Sequence, residues 1–342
     1  MIYIMCGIHA FFNNVATPNG PAVLHHRGPD GYGSHTIENC FMEFNRLAIN
    51  DTSSAGNQPI YDEKSNTMLI CNGEIYNHQD FRKGNEKSES DCEVLIDMIQ
   101  ELGMYETCNR IRGVFAIVIS DGKRIQAARD PIGVRPLFYS KGADGIEFAS
   151  EIKALNSSYK CQIFPPGHFY DSLIDDFICY YPCFWKHSIN NLPNTIQNIS
   201  EKFENAVKIR IQNSDRPIGF LLSGGFDSSI VASVAKEILG PDIKIKTFSI
   251  GTKDDSPDVI AARTMADYIQ SDHTEVEFNF EEGYNNLKNV IQSLETYDTT
   301  TIRASVPMWL LCRHIKEHSN CRVLLSGEGS DELFGGYKYF KN

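Results

Sequence analysis

No apolar run in this 342-residue chain approaches the roughly 18–20 residues needed to cross a bilayer. The opening Met1-Ile2-Tyr3-Ile4-Met5 has neither a basic region nor an adequate apolar one, so it does not read as a secretory signal. Basic residues are few beside acidic ones, 32 against 44, and the net charge of −12 argues against a general nucleic-acid or anionic-membrane binder. The ten cysteines include no CxxC pair, which suits a reducing compartment better than a disulfide framework. Cys179 and Cys183 are the closest two, and the two further ligands a zinc site needs are missing nearby. His314 and His318 lack a third ligand and read as a solvated helix face. Internal repeats and low-complexity runs are also missing. The expectation is a cytoplasmic protein with no nucleic-acid or membrane partner, and with a homodimer left open as its assembly.

What is present begins with Leu221-Leu222-Ser223-Gly224-Gly225-Phe226-Asp227-Ser228-Ser229. The apolar run 218–222 leads in as a buried strand, and Ile230, Val231, Val234 and Ile238 follow at helical spacing. A small glycine-rich turn between a strand and a helix N-terminus offers backbone N–H groups and the positive end of a helix dipole to an anion. Ser223, Ser228 and Ser229 add hydroxyls, while Gly224 and Gly225 allow close backbone approach. The Gly-Lys-Ser/Thr ending of a Walker A loop is absent. A tight turn that binds nothing is the alternative, and the strand leading into the full set of residues favours the phosphate reading.

At the other end, Cys6 follows Met5 and opens a strand-like run through Phe12. If the residues before it are removed, Cys6 carries both a thiol and an α-amine whose pKa is about 7.7–8.0, suited to act as general base for its own thiol. Four segments follow in order: His26-Arg27-Gly28-Pro29-Asp30-Gly31, Arg46-Leu47-Ala48-Ile49-Asn50-Asp51, Asn72-Gly73-Glu74-Ile75-Tyr76-Asn77 and Ser90-Asp91-Cys92-Glu93. Further on stand Ala128 to Gly133, Ala149 to Leu155, Glu295 to Ser305 and Ser326 to Glu332.

Taken together, these segments resemble the glutamine-hydrolysing asparagine synthetases, in which a class II glutaminase precedes an ATP-pyrophosphatase domain. The resemblance runs from Cys6 to Gly336. It implies an N-terminal αββα Ntn-hydrolase sandwich over 6–189, then a parallel-sheet α/β domain over 198–342 that is incomplete, since family members continue well beyond this point. It implies Cys6 as nucleophile, with Asn72 and the Gly73 N–H as oxyanion donors. Arg46, Leu47, Ala48, Ile49, Asn50, Glu74 and Asp91 would complete a glutamine pocket, with Arg46 on the α-carboxylate and Asp91 on the α-ammonium. Asn50 stands where the family often has an apolar residue. In the second half, Leu221, Ser223, Gly224, Gly225, Asp227, Ser228, Ile250, Ser326 and Gly327 would border ATP. Asp227 and Asp331 would contact Mg²⁺, and Glu328 would serve formation and capture of β-aspartyl-AMP. Thr300, Thr301, Arg303 and Ser305 lie in the segment expected to recognise aspartate. Another glutamine-dependent or β-lactam-forming synthetase on the same scaffold, a stand-alone glutaminase and a non-catalytic relic remain as rivals.

Periodicity supplies local expectations. Residues 68–71 and 114–119 read as buried strands, and Asp91 as the start and N-cap of a helix with Val94, Leu95, Met98, Ile99 and Leu102 on its apolar stripe. The polar stretch 186–198 reads as a linker, 199–211 as a helix, and 243–250 and 323–325 as strands. Turns are expected at 121–122, 141–142 and 144–145. Strands alternating with helices predict a parallel sheet with its ligand beyond the carboxyl strand ends.

Overall fold

A computed structural model describes residues 5–13, 22–143, 145–156, 159–182, 196–252 and 256–337. The chain divides into two compact units between Leu192 and Pro193. In the first, the strands are β1 (Gly7–Phe12), β2 (Gly31–Ile37), β3 (Cys40–Arg46), β4 (Ile60–Asp62), β5 (Thr67–Ile75), β6 (Gly113–Ser120), β7 (Ile125–Arg129), β8 (Phe138–Gly142), β9 (Gly145–Ala149), β10 (Cys161–Ile163), β11 (His168–Asp171) and β12 (Asp176–Cys179). They form two six-stranded sheets, ordered β10-β8-β9-β1-β3-β2 and β12-β11-β7-β6-β5-β4. The strand pairings within both are antiparallel.

Alternation along the strands builds the sandwich. Ile8, Ala10 and Phe12 of β1 and Met42 and Phe44 of β3 meet Met68 and Ile70 of β5 in the core between the sheets. The intervening residues Leu69, Cys71 and Ile75 face the other way, onto the helix α1 (Val94–Arg110). A strand covered on both faces needs an unbroken apolar run, and 68–71 supplies it. On the outer face of the first sheet, Leu24 packs with Ala149, Ala154 and Leu155.

Two local expectations change here. Helix α1 starts at Val94 with Glu93 at its cap, and Asp91 is instead a buried carboxylate that accepts the Ile75 N–H at 2.6 Å. The helix is also broken at Gly103, whose φ of +80° lies in the left-handed region. Of the expected turns, Gly122 adopts φ +85°, Gly142 pairs with Gly145 across the β8–β9 hairpin, and Asp144 lies outside the described residues.

The second unit carries α2 (Ile196–Gln212), β13 (Ile218–Leu221), α3 (Phe226–Leu239), β14 (Lys246–Gly251), α4 (Pro257–Tyr268), β15 (Asp272–Glu277), α5 (Phe280–Asn285), α6 (Leu287–Leu294), α7 (Thr299–His318), β16 (Val323–Leu325) and α8 (Ser330–Phe334). Its sheet is parallel, ordered β15-β14-β13-β16. The chain steps outward from β13 through β14 to β15, then returns to add β16 on the far side of β13. The strand order therefore reverses between β13 and β16, and an open α/β sheet binds ligands at the carboxyl ends flanking such a reversal.

Strand β14 begins at Lys246, not at Ile243. Pro241 and Asp242 form a turn, and Ile243 donates its N–H back to Gly240 O, which delays the ladder. The helix expected from 199 begins at Ile196, so 196–198 are not linker; 186–195, and Cys183 with them, lie outside the described residues.

Candidate active site

Cys6 stands one residue outside the sheet. The ladder begins with Gly7 opposite Asn45, so nothing in the strand pairing satisfies the Cys6 carbonyl. Arg27 does, donating from Nε at 3.0 Å. The Cys6 sulfur receives the Leu47 N–H at 3.3 Å and lies 3.5 Å from Leu47 O. Burial pushes the thiol up to about 11, against the opposing pull of Leu47 and of the Arg135 charge. The resting group is thus a thiol, held by its neighbours and protonated at neutral pH.

Asn72 shares a face of β5 with Met68 and Ile70, and that face looks into the core against which Cys6 packs. Asn72 is buried, and its side-chain nitrogen has no hydrogen-bond partner among the described residues. An unpaired buried amide is costly, and such exceptions in folded proteins call for a functional account. The neighbouring Gly73 is required by packing: a Cβ there would lie 2.6 Å from Val114 O. On the same face, Glu74 accepts Asn50 Nδ2 at 2.9 Å. Burial raises the Asp91 carboxyl, against donation from the Ile75 N–H. Asn50 bonds this carboxyl as well, so Asn50, Glu74 and Asp91 form one polar group.

Arg46 is buried at the end of β3. Its terminal nitrogens donate to Ser53 O at 2.5 Å, Asn57 Oδ1 at 3.0 Å, Asn50 O at 3.2 Å and Asp51 O. A Cβ on Gly56 would stand 2.3 Å from Nη2. Arg46 therefore organises the 50–57 loop. Leu47 and Ala48 are buried and Ile49 half-buried, and Asp30 ties this segment down by accepting the Ala48 N–H at 3.0 Å.

Two residues at this site carry roles that the sequence analysis did not assign. Arg27 donates from Nη1 to Glu151 Oε1 at 2.9 Å, and His26 and Lys153 reach the same carboxylate at 3.0 and 2.8 Å. The resembling segments 26–31 and 149–155 were the only signal, since distance in sequence hides the pairing. Burial alone would raise the Glu151 carboxyl; the hydrogen bonds from His26 and Lys153 and the Arg27 charge outweigh that and hold it at about 2. The stability this contributes is present above the usual glutamate range and is lost as pH falls from about 4.5 towards about 2. Melting temperatures of wild type and Glu151→Gln should therefore differ most at neutral pH and converge as the pH falls to about 2.

In the second unit the loop after β13 folds on itself. Ser223 Oγ and Ser228 Oγ are 2.9 Å apart, and the Ser223 N–H donates to Ser228 Oγ at 3.2 Å. Helix α3 has Gly225 at its N-cap and no side-chain cap among the described residues, so its first-turn N–H groups remain available to an anion. The loop after β16 closes on this helix: a Cβ on Gly327 would lie 2.6 Å from the Asp227 carbonyl carbon. Ser330 donates to Asp227 Oδ1 at 2.9 Å, which brings Asp331 to the same end of the sheet. Leu221 is buried, Ile250 and Ser326 half-buried, and Glu328 exposed. Thr301 is engaged at the start of α7, donating both its N–H and its hydroxyl to Asp298 at 2.7 Å. Thr300 and Arg303 are exposed and Ser305 half-buried on the same helix.

Gly224 has φ +74°, and a Cβ there would meet the Ala261 carbonyl carbon at 2.3 Å. Gly224→Ala should cost about 1–3 kcal/mol in urea unfolding, from overpacking alone.

Residues 5–198 match a family model described as a glutamine amidotransferase domain, which is more than half of the chain. The chain belongs to the glutamine amidotransferase family. Residues 198–342 match a second model, described as asparagine synthase. The amidotransferase chain is 44% identical over 333 residues to a glutamine-hydrolysing asparagine synthetase of Zea mays, covering 93% of this chain and 56% of that one. It is 44% identical over 334 residues to asparagine synthetase 2 of Oryza sativa subsp. japonica, with coverage of 93% and 56%. A third relative, asparagine synthetase 3 of Arabidopsis thaliana, is 43% identical over 335 residues, with coverage of 93% and 57%. The chain thus spans a little over half the length of these relatives. The two antiparallel sheets and the parallel sheet with its helices are the α+β and α/β architecture expected from the sequence. No helix among the described residues is long and apolar enough to cross a membrane.

Proposed function

We propose that the first unit hydrolyses glutamine and that the second uses ATP to activate aspartate for amidation, so that the whole protein makes asparagine. The observation that carries this is Asn72: a buried side-chain amide without a partner, on the strand face turned towards the core that Cys6 borders. Such a donor is set for an oxygen that becomes negative only during reaction.

In this reading Cys6 attacks the amide carbon of glutamine. Its proton passes to its own α-amine, freed by removal of the preceding residues. The C–N bond then breaks as ammonia takes that proton, leaving a γ-glutamyl thioester for water to cleave. The thiol at about 11 and an amine at about 7.7–8.0 together keep the proton on sulfur until attack begins. Glu74 and Asp91 suit the substrate α-ammonium, and Arg46 the α-carboxylate in exchange for loop carbonyls.

For the second unit, the support is the strand-order reversal between β13 and β16 with an uncapped helix at its edge. A phosphate would lie against Ser223 to Ser228, and Ser326 and Gly327 would border the nucleotide. Among the described residues no cluster of three metal-ligating side chains occurs. Magnesium fits nonetheless, because it is commonly held by one or two carboxylates plus substrate phosphates, and Asp227 and Asp331 stand at the same strand ends. Magnesium there would offset phosphate charge. Glu328 would then act at the acyl-adenylate. The test is to follow ammonia from glutamine, and pyrophosphate from ATP, aspartate and Mg²⁺, in the full chain. Asp227→Ala should abolish pyrophosphate release and spare glutamine hydrolysis; pyrophosphate formation that survives this change removes the metal assignment.

A further inference from the structure

We propose that Glu151 is a positioning residue for glutamine cleavage: through Arg27 it fixes the main-chain carbonyl of Cys6, and with it the sulfur and α-nitrogen borne on the same Cα. The inference rests on the reading of Cys6 as the N-terminal nucleophile.

The argument starts from where the sheet stops. Ile8 is locked twice to the residue next to Glu151, its N–H donating to Ser150 Oγ and its carbonyl receiving the Ser150 N–H, both at 3.0 Å. Strand β1 is also paired on both sides, with β3 and with β9. None of this reaches Cys6, whose carbonyl lies beyond the last pair. Holding β1 is therefore work already done, and what is left for Glu151 is the residue outside the ladder.

The connection is short and buried. Arg27 and Glu151 are 7% and 6% exposed. Nε of Arg27 takes the Cys6 carbonyl and Nη1 takes the carboxylate, which sets the plane of the guanidinium. Nη2 has no partner among the described residues, so two bonds alone define that plane. The turn bearing Arg27 cannot drift either. A Cβ on Gly28 would stand 2.2 Å from Asn45 O, and one on Gly7 2.8 Å from Leu24 Cβ. With the Cys6 carbonyl held by Arg27 and the sulfur by the Leu47 N–H, the main chain and the thiol are each anchored once. Removing the carboxylate leaves a buried guanidinium to find another acceptor and releases the carbonyl. Reacting groups displaced by about 1 Å can lose on the order of 10²-fold in rate.

A role confined to folding would lower activity without altering the acid limb of kcat/KM. A positioning role beside the α-amine alters it. Charged groups near Cys6 are Arg27, Arg135 and Glu74, with His26 and Lys153 set on Glu151. Glu151→Gln removes a negative charge and leaves Arg27 uncompensated. The amine then loses its proton more readily, and the acid limb moves to lower pH.

The experiment uses the full chain and begins with a diazoketone analogue of glutamine on wild type. Wild type without a Cys6 adduct overturns the nucleophile reading and this inference with it. With the adduct present, Glu151→Gln should lower kcat for glutamine hydrolysis about 10- to 100-fold, with KM within about 3-fold and the acid limb displaced downward. Glu151→Asp, which keeps the charge but shortens the reach, should lose less and keep the limb in place. Glu151→Gln combined with Arg27→Lys should be no worse than Arg27→Lys alone, because one connection is broken twice. An unchanged kcat in a labelled, folded Glu151→Gln overturns the Glu151 role alone, as do fully additive losses in the double variant. Should Glu151→Gln not fold, Glu151→Asp decides: wild-type kcat contradicts the proposal, and a partial loss with unchanged KM supports it.

Discussion

Cys6→Ala should reduce glutamine hydrolysis to the background of the assay, a loss on the order of 10⁶-fold if this nucleophile behaves as those of other acyl-transfer enzymes do. The size follows from one residue holding two functions. Its sulfur forms the bond to the amide carbon, and its α-amine takes the proton. Alanine keeps the amine and removes the sulfur, so the loss reports nucleophilic attack alone. The half-buried site should tolerate the change structurally, because Arg27 bonds the main chain of residue 6 and not its side chain. Ammonia and glutamate release, with circular dichroism to confirm folding, checks the prediction. Since the acid limb of kcat/KM belongs to the amine, it should fall near the pKa of an α-amine and far below the thiol value of about 11.

Asn72→Ala should lower kcat by about 10²–10³-fold and leave KM nearly unchanged. The argument is one of timing. In the resting protein the Asn72 amide nitrogen is buried and unpaired, so the folded state already bears the cost of its lost hydration. That cost is recovered when the substrate oxygen acquires charge, which occurs in the transition state and not on binding. Deleting the amide should also relieve the resting protein. The variant should unfold at equal or higher urea than wild type while being far slower, and a matched loss of stability and rate would contradict the oxyanion role.

How much of this was legible in the residues varies with the kind of interaction. The run 68–71 announced a strand buried on both faces, and β5 is that strand. The glycine-rich turn before Ile230 announced a strand-to-helix junction, which occurs between β13 and α3. Strand β15 went unassigned because its residues Asp272-His273-Thr274-Glu275-Val276-Glu277 are polar, as an edge strand of the sheet allows. Asp91 read as a helix cap because Asp precedes an apolar stripe; its carboxylate is instead drawn inward to the Ile75 N–H. The loop carbonyls that Arg46 holds could not be read from the residues, because they belong to a turn that forms only around its guanidinium. Arg27 and Glu151 are 124 residues apart, and only the folded chain brings the pair to the Cys6 carbonyl.

The claim on which the rest depends is that Cys6 works as a free N-terminal residue. Intact-mass and N-terminal analysis of protein made in cells, before and after reaction with a diazoketone glutamine analogue, tests it most directly. The account predicts a polypeptide that begins at Cys6 and gains one analogue on that sulfur. Protein that hydrolyses glutamine while Met5 remains joined to Cys6, or that takes up the analogue elsewhere, would contradict it.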